Sequence, residues 1–169
     1  MFASQAAPTA ALPDTRPIEP AGEASKSAGE FVLENQYQQS HTYRFPREKV
    51  SFLVLADYHG SSQLEAWIHP VYQRYEKRIE IDGVAVVDIV PAALRGMVRG
   101  FFKKRLTYPV MLDWQGTVSQ YYGYQPKVAN LFLIDRQGMI RFKTVGPYNE
   151  IELQQVFDHI DHLLRERER

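Results

Sequence analysis

Residues 50–56, VSFLVLA, form a near-continuous apolar run bounded by Arg47-Glu48-Lys49 on one side and Asp57 on the other. A strand with one wet face alternates polar and apolar residues, so an unbroken run is the pattern of a strand covered on both faces. Residues 84–90, VAVVDIV, repeat it. Between the two runs, Leu64, Trp67, Ile68, Val71, Tyr72 and Tyr75 recur at i, i+3, i+4, i+7, i+8 and i+11, which is one face of a helix. Ser62, with Glu65 three residues on, reads as a capping box that opens this helix. Two buried strands joined by a helix make a βαβ unit, with parallel strands and a right-handed crossover.

Downstream, Pro91 suits the first turn of a second helix, on which Leu94, Met97, Val98, Phe101 and Phe102 keep helical spacing up to Leu106. That apolar face is expected to meet the core. It leaves Arg95, Arg99, Lys103, Lys104 and Arg105 on a solvated basic face, with no acid between Pro91 and Leu112. Residues 109–113 read as extended and 117–122 as one or two helical turns. Residues 131–135, the turn Arg136-Gln137-Gly138 and residues 139–145 read as an antiparallel hairpin. Asn149 with Glu152 caps a last helix that carries Leu153, Val156, Phe157, Ile160, Leu163 and Leu164 on one face. Upstream, Phe31, Leu33 and then residues 41–45 suggest two short strands joined by the polar turn Gln38-Gln39-Ser40. The predicted class is α/β: a central mixed sheet, βαβ then ββα, with helices on both faces.

Length and composition bound the function. The chain has 169 residues, enough for one sizeable domain. Residues 1–30 hold Pro8, Pro13, Pro17 and Pro20 and scarcely any large apolar side chain, so they are expected to be a disordered leader to a domain over 31–169. No secretory signal is legible in them, which points to the cytoplasm, with an exported form as the alternative if the start is misplaced or trimmed. No apolar stretch nears the ~20 residues of a membrane span. Twenty Lys plus Arg balance twenty Asp plus Glu, and a formal charge of zero gives no bulk field for nucleic acid. The cysteine count is zero, which removes disulfides, thiolate nucleophiles and Cys-ligated metals.

Two stretches carry a resemblance. Tyr122-Gly-Tyr-Gln-Pro-Lys-Val-Ala-Asn-Leu-Phe-Leu-Ile-Asp-Arg-Gln-Gly138 resembles the redoxin pattern Y-G-V-x-x-x-P-T-x-F-L-I-D-x-x-G. Phe52-Leu-Val-Leu-Ala-Asp-Tyr-His-Gly-Ser-Ser-Gln63 is similar to the strand that leads into W-C-x-x-C in thioredoxins. Together with the element order, they make residues 31–164 look like the redoxin branch of the thioredoxin superfamily. That branch holds the peroxiredoxins and the reductases of the alkyl hydroperoxide reductase type. The resemblance implies a thioredoxin-like fold. It also places the two family cysteines on His59 and Ser62, and the family proline on Ala129, in Val128-Ala129-Asn130. The peroxiredoxin motif P-x-x-x-T-x-x-C has no counterpart after the first buried strand. Thiol-disulfide exchange needs a thiolate, which neither imidazole nor hydroxyl replaces, so the usual activity of the family is expected to be absent.

What the replaced site does is left to several readings. The leading one is a non-redox binding or scaffold module that meets a protein or a small anionic ligand along His59 to Gln63 and Lys127 to Asn130, with Val128 and Ala129 at the centre of that edge. His59, Gly60, Ser61 and Ser62 precede a helix, where free N–H groups and the helix dipole suit an anion; the serines also serve as plain caps. An enzyme of another class, with His59 as acid or base beside Ser62, is an alternative. Another is an anion-binding module that uses Arg95, Arg99 and Lys103 on the basic helix. His159 and His162 stand at i, i+3 with Asp158 and Asp161, but no further ligand is evident, and neither a metal nor a cofactor is assigned. Tyr108, Trp114, Tyr121, Tyr122 and Tyr124 either line a surface or pack at the core margin.

Overall fold

The computed structural model describes residues 26–166. The elements run β1 (Phe31–Glu34), β2 (Ser40–Tyr43), β3 (Ser51–Ala56), α1 (Leu64–Tyr75), β4 (Glu80–Val86) and α2 (Arg95–Arg105). They continue with β5 (Met111–Asp113), α3 (Thr117–Tyr121), β6 (Asn130–Ile134), β7 (Ile140–Val145) and α4 (Glu150–Arg165). Five strands form one sheet in the order β5-β4-β3-β6-β7, and β1 and β2 make a separate hairpin. β3, β4 and β5 are parallel, while β6 and β7 join antiparallel. This is the expected mixed sheet.

β3 is the centre of the sheet and is buried throughout. Its alternate residues feed two cores, which is why the run is apolar without a break. Phe52 and Val54 meet Trp67, Val71 and Tyr75 of α1 and Leu153, Val156 and Ile160 of α4. Leu53 and Leu55 meet Phe132, Tyr43, Val118 and Tyr122 on the other face, under α3 and the hairpin. The apolar stripes read from helical spacing on α1 and α4 therefore face the core, except Tyr72 of α1, which is exposed.

Four expectations shift. The second parallel strand spans Glu80–Val86 rather than 84–90: Ser51 pairs with Glu80 and Ala56 with Ala85, and beyond Val86 the chain turns, with Val90 N–H bonding the Val87 carbonyl. Glu80 and Asp82 interrupt the apolar pattern at the start of this strand, yet both pair with Arg47, whose Nη1 lies 2.7 Å from Asp82 Oδ2. The capping box at Ser62 and Glu65 does not form. A 3-10 turn over Gly60–Gln63 leads into α1, and Ser62 Oγ donates to the His59 carbonyl at 2.9 Å. Residues 26–30, read as leader, are tied to the domain instead: Ser27 bridges Met139, Ala28 N–H donates to the Gly138 carbonyl, Gly29 and Glu30 accept from the Tyr122 hydroxyl and Phe45 N–H, and Ala28 is buried. The rest of the leader, 1–25, lies outside the described residues.

The fourth concerns α2, which follows a 3-10 turn over Ala92–Leu94 instead of starting at Pro91. Only Val98, Phe102 and Leu106 of its apolar residues pack, against Ala85, Val87, Val110, Leu112 and Trp114. Leu94, Met97 and Phe101 are exposed. Arg95 and Arg99, expected in solvent, lie over the Trp114 ring at 5.1 and 5.3 Å. A wide apolar arc at helical spacing cannot all touch one small sheet edge, and the planar guanidiniums cover the aromatic surface that it leaves.

The expected hairpin forms, with a shift of register between Leu133 and Ile134 next to its turn. Asp135 Oδ1 accepts N–H bonds from Gln137 and Met139, both at 2.9 Å. Gly138 has φ +91°, and a Cβ there would fall 2.7 Å from the Phe45 ring, so this position requires glycine. At the start of α4, Asn149 Oδ1 accepts from Ile151 N–H at 2.9 Å and Glu152 N–H at 3.2 Å. Replacing Asn149→Ala frees both donors, and the expected loss is about 1 kcal/mol in urea-induced unfolding.

Candidate functional site

The site follows from strand pairing. β3 ends at Ala56 and β6 begins at Asn130, and because Leu55 pairs with Asn130 the loop after β3 lies beside the loop before β6. Both loops are held by one carboxylate. Asp57 Oδ1 accepts from Gly60 N–H at 2.7 Å, and Oδ2 accepts from Lys127 N–H at 2.8 Å. The Asp57 carbonyl accepts from Ser61 N–H at 2.9 Å, and Asp57 N–H donates to the Tyr124 hydroxyl at 3.0 Å. Burial works to raise the carboxyl pKa, but the bonds from Gly60, Lys127 and Tyr124 outweigh it and hold Asp57 below the usual carboxylate range. Tyr124 moves the opposite way, raised first by burial and then by its contact with Asp57.

Two more residues close the seam. Gln63 Oε1 accepts from Ala129 N–H at 3.1 Å, and its Nε2 donates to the Lys127 carbonyl at 3.4 Å. Asn130, fully buried, donates to the carbonyls of Gln125 at 2.8 Å and Val128 at 3.0 Å, and accepts from Gln125 N–H at 2.8 Å. Lys127 sits in the left-handed region at φ +67°. Gly60 is packed so tightly that a Cβ would stand 2.5 Å from the Val128 carbonyl oxygen. The peptide bond before Ala129 is trans, as a non-proline residue favours, and Ala129 is fully buried.

The structure thus sets His59–Ser62 beside Val128 and Ala129 and seals the seam between them. His59, Ser61 and Ser62 stay exposed on its rim while Gly60 is buried. The helix start is not an open anion cradle, since the Gly60 and Ser61 N–H groups already serve Asp57. His59 and Ser62 do not form a base–nucleophile couple, because the Ser62 hydroxyl is turned to the His59 carbonyl. An open hollow of about 300 Å³ lies next to the seam, lined by Asp88, Gln115, Gly116, Ser119, Gln120 and Tyr124. Arg95, Arg99 and Lys103 stand apart from it, over Trp114 and Tyr37, and Arg99 pairs with Glu34 at 3.1 Å. Another part of α2 does reach the rim: the Phe101 ring lies 6.4 Å from that of Tyr58, which contacts His59 at 5.7 Å.

The remaining candidates resolve into packing. His159 Nδ1 lies 2.8 Å from the Gln155 carbonyl and its ring leans on Phe142, while His162 lies 3.3 Å from Glu166. Asp161 serves Arg74 and Tyr75, and Asp158 serves Gln154. Trp114 and Tyr122 are buried, whereas Tyr108 and Tyr121 are exposed. Sequence reasoning missed Asp57; Gln63 it placed on the edge and Tyr124 among the aromatics, without the bonds that they make. Asp57 had a visible signal, an aspartate directly after a buried run and three residues before a glycine, the arrangement in which a short carboxylate caps the following turn.

No family model matches the chain and no curated protein matches it, but solved structures do. A protein described as thiol:disulfide interchange protein DsbE from Chlorobium tepidum superposes with a TM-score of 0.63 at 19% identity, covering 83% of this chain and 96% of that one. A protein described as a disulfide isomerase from Bacteroides thetaiotaomicron gives 0.60 at 22% identity, over 83% and 89% of the two chains. The exposed lipoprotein thioredoxin Etrx1 of Streptococcus pneumoniae gives 0.59 at 16% identity, over 80% and 100%. The chain has a thioredoxin-like fold.

The seam has a pH signature. A carboxyl whose folded pKa is depressed contributes stability above the unfolded value of about 3.9 and loses it as pH falls through the folded value. Asp57→Asn should therefore be less stable than the wild type at pH 7, with the gap narrowing below about pH 4. Urea unfolding at a series of pH values measures it; a gap independent of pH contradicts the assignment.

Proposed function

We propose that this chain is a redoxin-branch thioredoxin-fold module that binds a partner and performs no thiol chemistry. On this reading His59 and Ser62 stand where redoxins carry their two cysteines, and Ala129 where they carry proline. The observation that carries the proposal is the sealed seam. Thiol-disulfide exchange needs a thiolate with access to a substrate disulfide. Here the sequence holds no cysteine, and the backbone edge at Val128–Ala129 is tied to Gln63 and Asn130. What stays open is a rim of side chains at Tyr58, His59, Ser61 and Ser62, with Tyr58 72% exposed. An exposed aromatic beside small polar residues suits a contact surface better than a catalytic cleft.

The test is functional. Purified protein, supplied with dithiothreitol, should neither reduce insulin nor consume hydrogen peroxide faster than a buffer blank. Turnover above the blank that persists after removal of contaminating thiol proteins would overturn the reading.

A further inference from the structure

The surface of α2 divides into strips of different chemistry. Val98, Phe102 and Leu106 pack on the sheet, and Arg95 and Arg99 lie on Trp114. A third strip, Leu94, Met97 and Phe101 at i, i+3 and i+7, faces away from the core; Met97 is 66% exposed. Tyr58 continues this strip off the helix, through its contact with Phe101. Beyond Phe101 the strip ends in Lys104 and Arg105, with the Arg105 guanidinium 5.1 Å from the Phe101 ring centre. Four large apolar side chains in one exposed row are more than an ordinary surface leaves scattered.

Charge complementarity decides what covers it. α2 carries five cations and no acid, and among the described residues only Arg99 of the five is ion-paired. A second copy of this chain would bring two such helices face to face, at a cost in like-charge repulsion. An anionic membrane is disfavoured by the formal charge of zero, which gives no long-range attraction. It is also disfavoured by the way Arg95 and Arg99 lie over the Trp114 ring instead of extending outward. The row from Leu94 to Phe101 spans about 10 Å of helix, the reach of two turns of a partner helix.

We propose that Leu94, Met97, Phe101 and Tyr58 form the docking row for an amphipathic helix of a partner protein, one whose apolar face is bordered by carboxylates that meet Lys104 and Arg105. The assignment rests on the non-redox binding reading but places the contact on α2, beside the sealed seam. It makes α2, packed over the β4–β5 edge, the recognition element.

The experiment uses the full chain and a fluorescein-labelled synthetic helix with leucines at i, i+3 and i+7 and glutamates on both borders, read by fluorescence anisotropy. Saturable binding is expected, weakening at least about threefold from low to high salt. A peptide with lysines in place of the glutamates should not bind. The double variant Met97→Glu/Phe101→Glu should weaken binding about tenfold or more. Both positions are exposed, so its melting curve should match the wild type, and Met97→Ser/Phe101→Ser provides a neutral second variant. Equal binding of both peptides, no binding, or binding untouched by the α2 variants would overturn the proposal. So would sedimentation with phosphatidylglycerol vesicles, or a dimer dissolved by Met97→Glu. Loss of binding on Ser62→Arg alone would move the contact to the α1 rim, overturning the α2 assignment while leaving the binding reading intact.

Discussion

The Asp57 carboxylate is the contact on which the candidate site depends. It is made at the one point where the central strand ends and its antiparallel neighbour begins, so it receives N–H groups from both connections, Gly60 on one side and Lys127 on the other. A charged acceptor with two backbone donors is stronger than a neutral pair and loses more when a donor is withdrawn. The N–H group that opens the 3-10 turn before α1 is thereby satisfied from within the chain. In a thiol enzyme a helix start of this kind is the setting that lowers a cysteine pKa. Here the same physical asset stabilises a turn. Gln63 and Asn130 complete the closure with neutral bonds, and Gly60 permits it sterically because any Cβ would strike the Val128 carbonyl.

The fold was legible because its determinants are periodic. β3 shows burial on both faces as an unbroken apolar run, α1 and α4 show one stripe each, and the β6–β7 hairpin shows an aspartate and a glycine at fixed offsets. The start of β4 was missed for a reason that local patterning cannot repair. Glu80 and Asp82 look like a turn until Arg47, more than thirty positions away, is brought beside them by the parallel register. Residues 26–30 were missed likewise, since their strand-like bridge to Met139 rests on tertiary pairing and not on their own composition.

Of the candidate site, the proximity of the two loops was legible and its bonding was not. The resemblance set His59 and Ser62 on one loop and Ala129 on the other, and the pairing of β3 with β6 brings those loops together. Hydrogen bonding was not visible at that level, because an aspartate next to a strand reads equally well as a boundary or as a cap. α2 shows the same limit. Spacing grouped Leu94, Met97, Val98, Phe101 and Phe102 as one face, whereas the sheet edge is only wide enough for Val98, Phe102 and Leu106. The arginines then took the place over Trp114, since a planar cation can lie on an indole face as an apolar side chain would.

The central claim, that the loops after β3 and before β6 are held together by Asp57, is tested most directly by amide hydrogen exchange followed by NMR. The account predicts that Gly60, Ser61 and Lys127 amides are protected together in the wild type, and that Asp57→Ala releases Gly60 and Lys127 while the β3 amides stay protected. Gly60 and Lys127 amides that exchange at the unprotected rate in the wild type would contradict it.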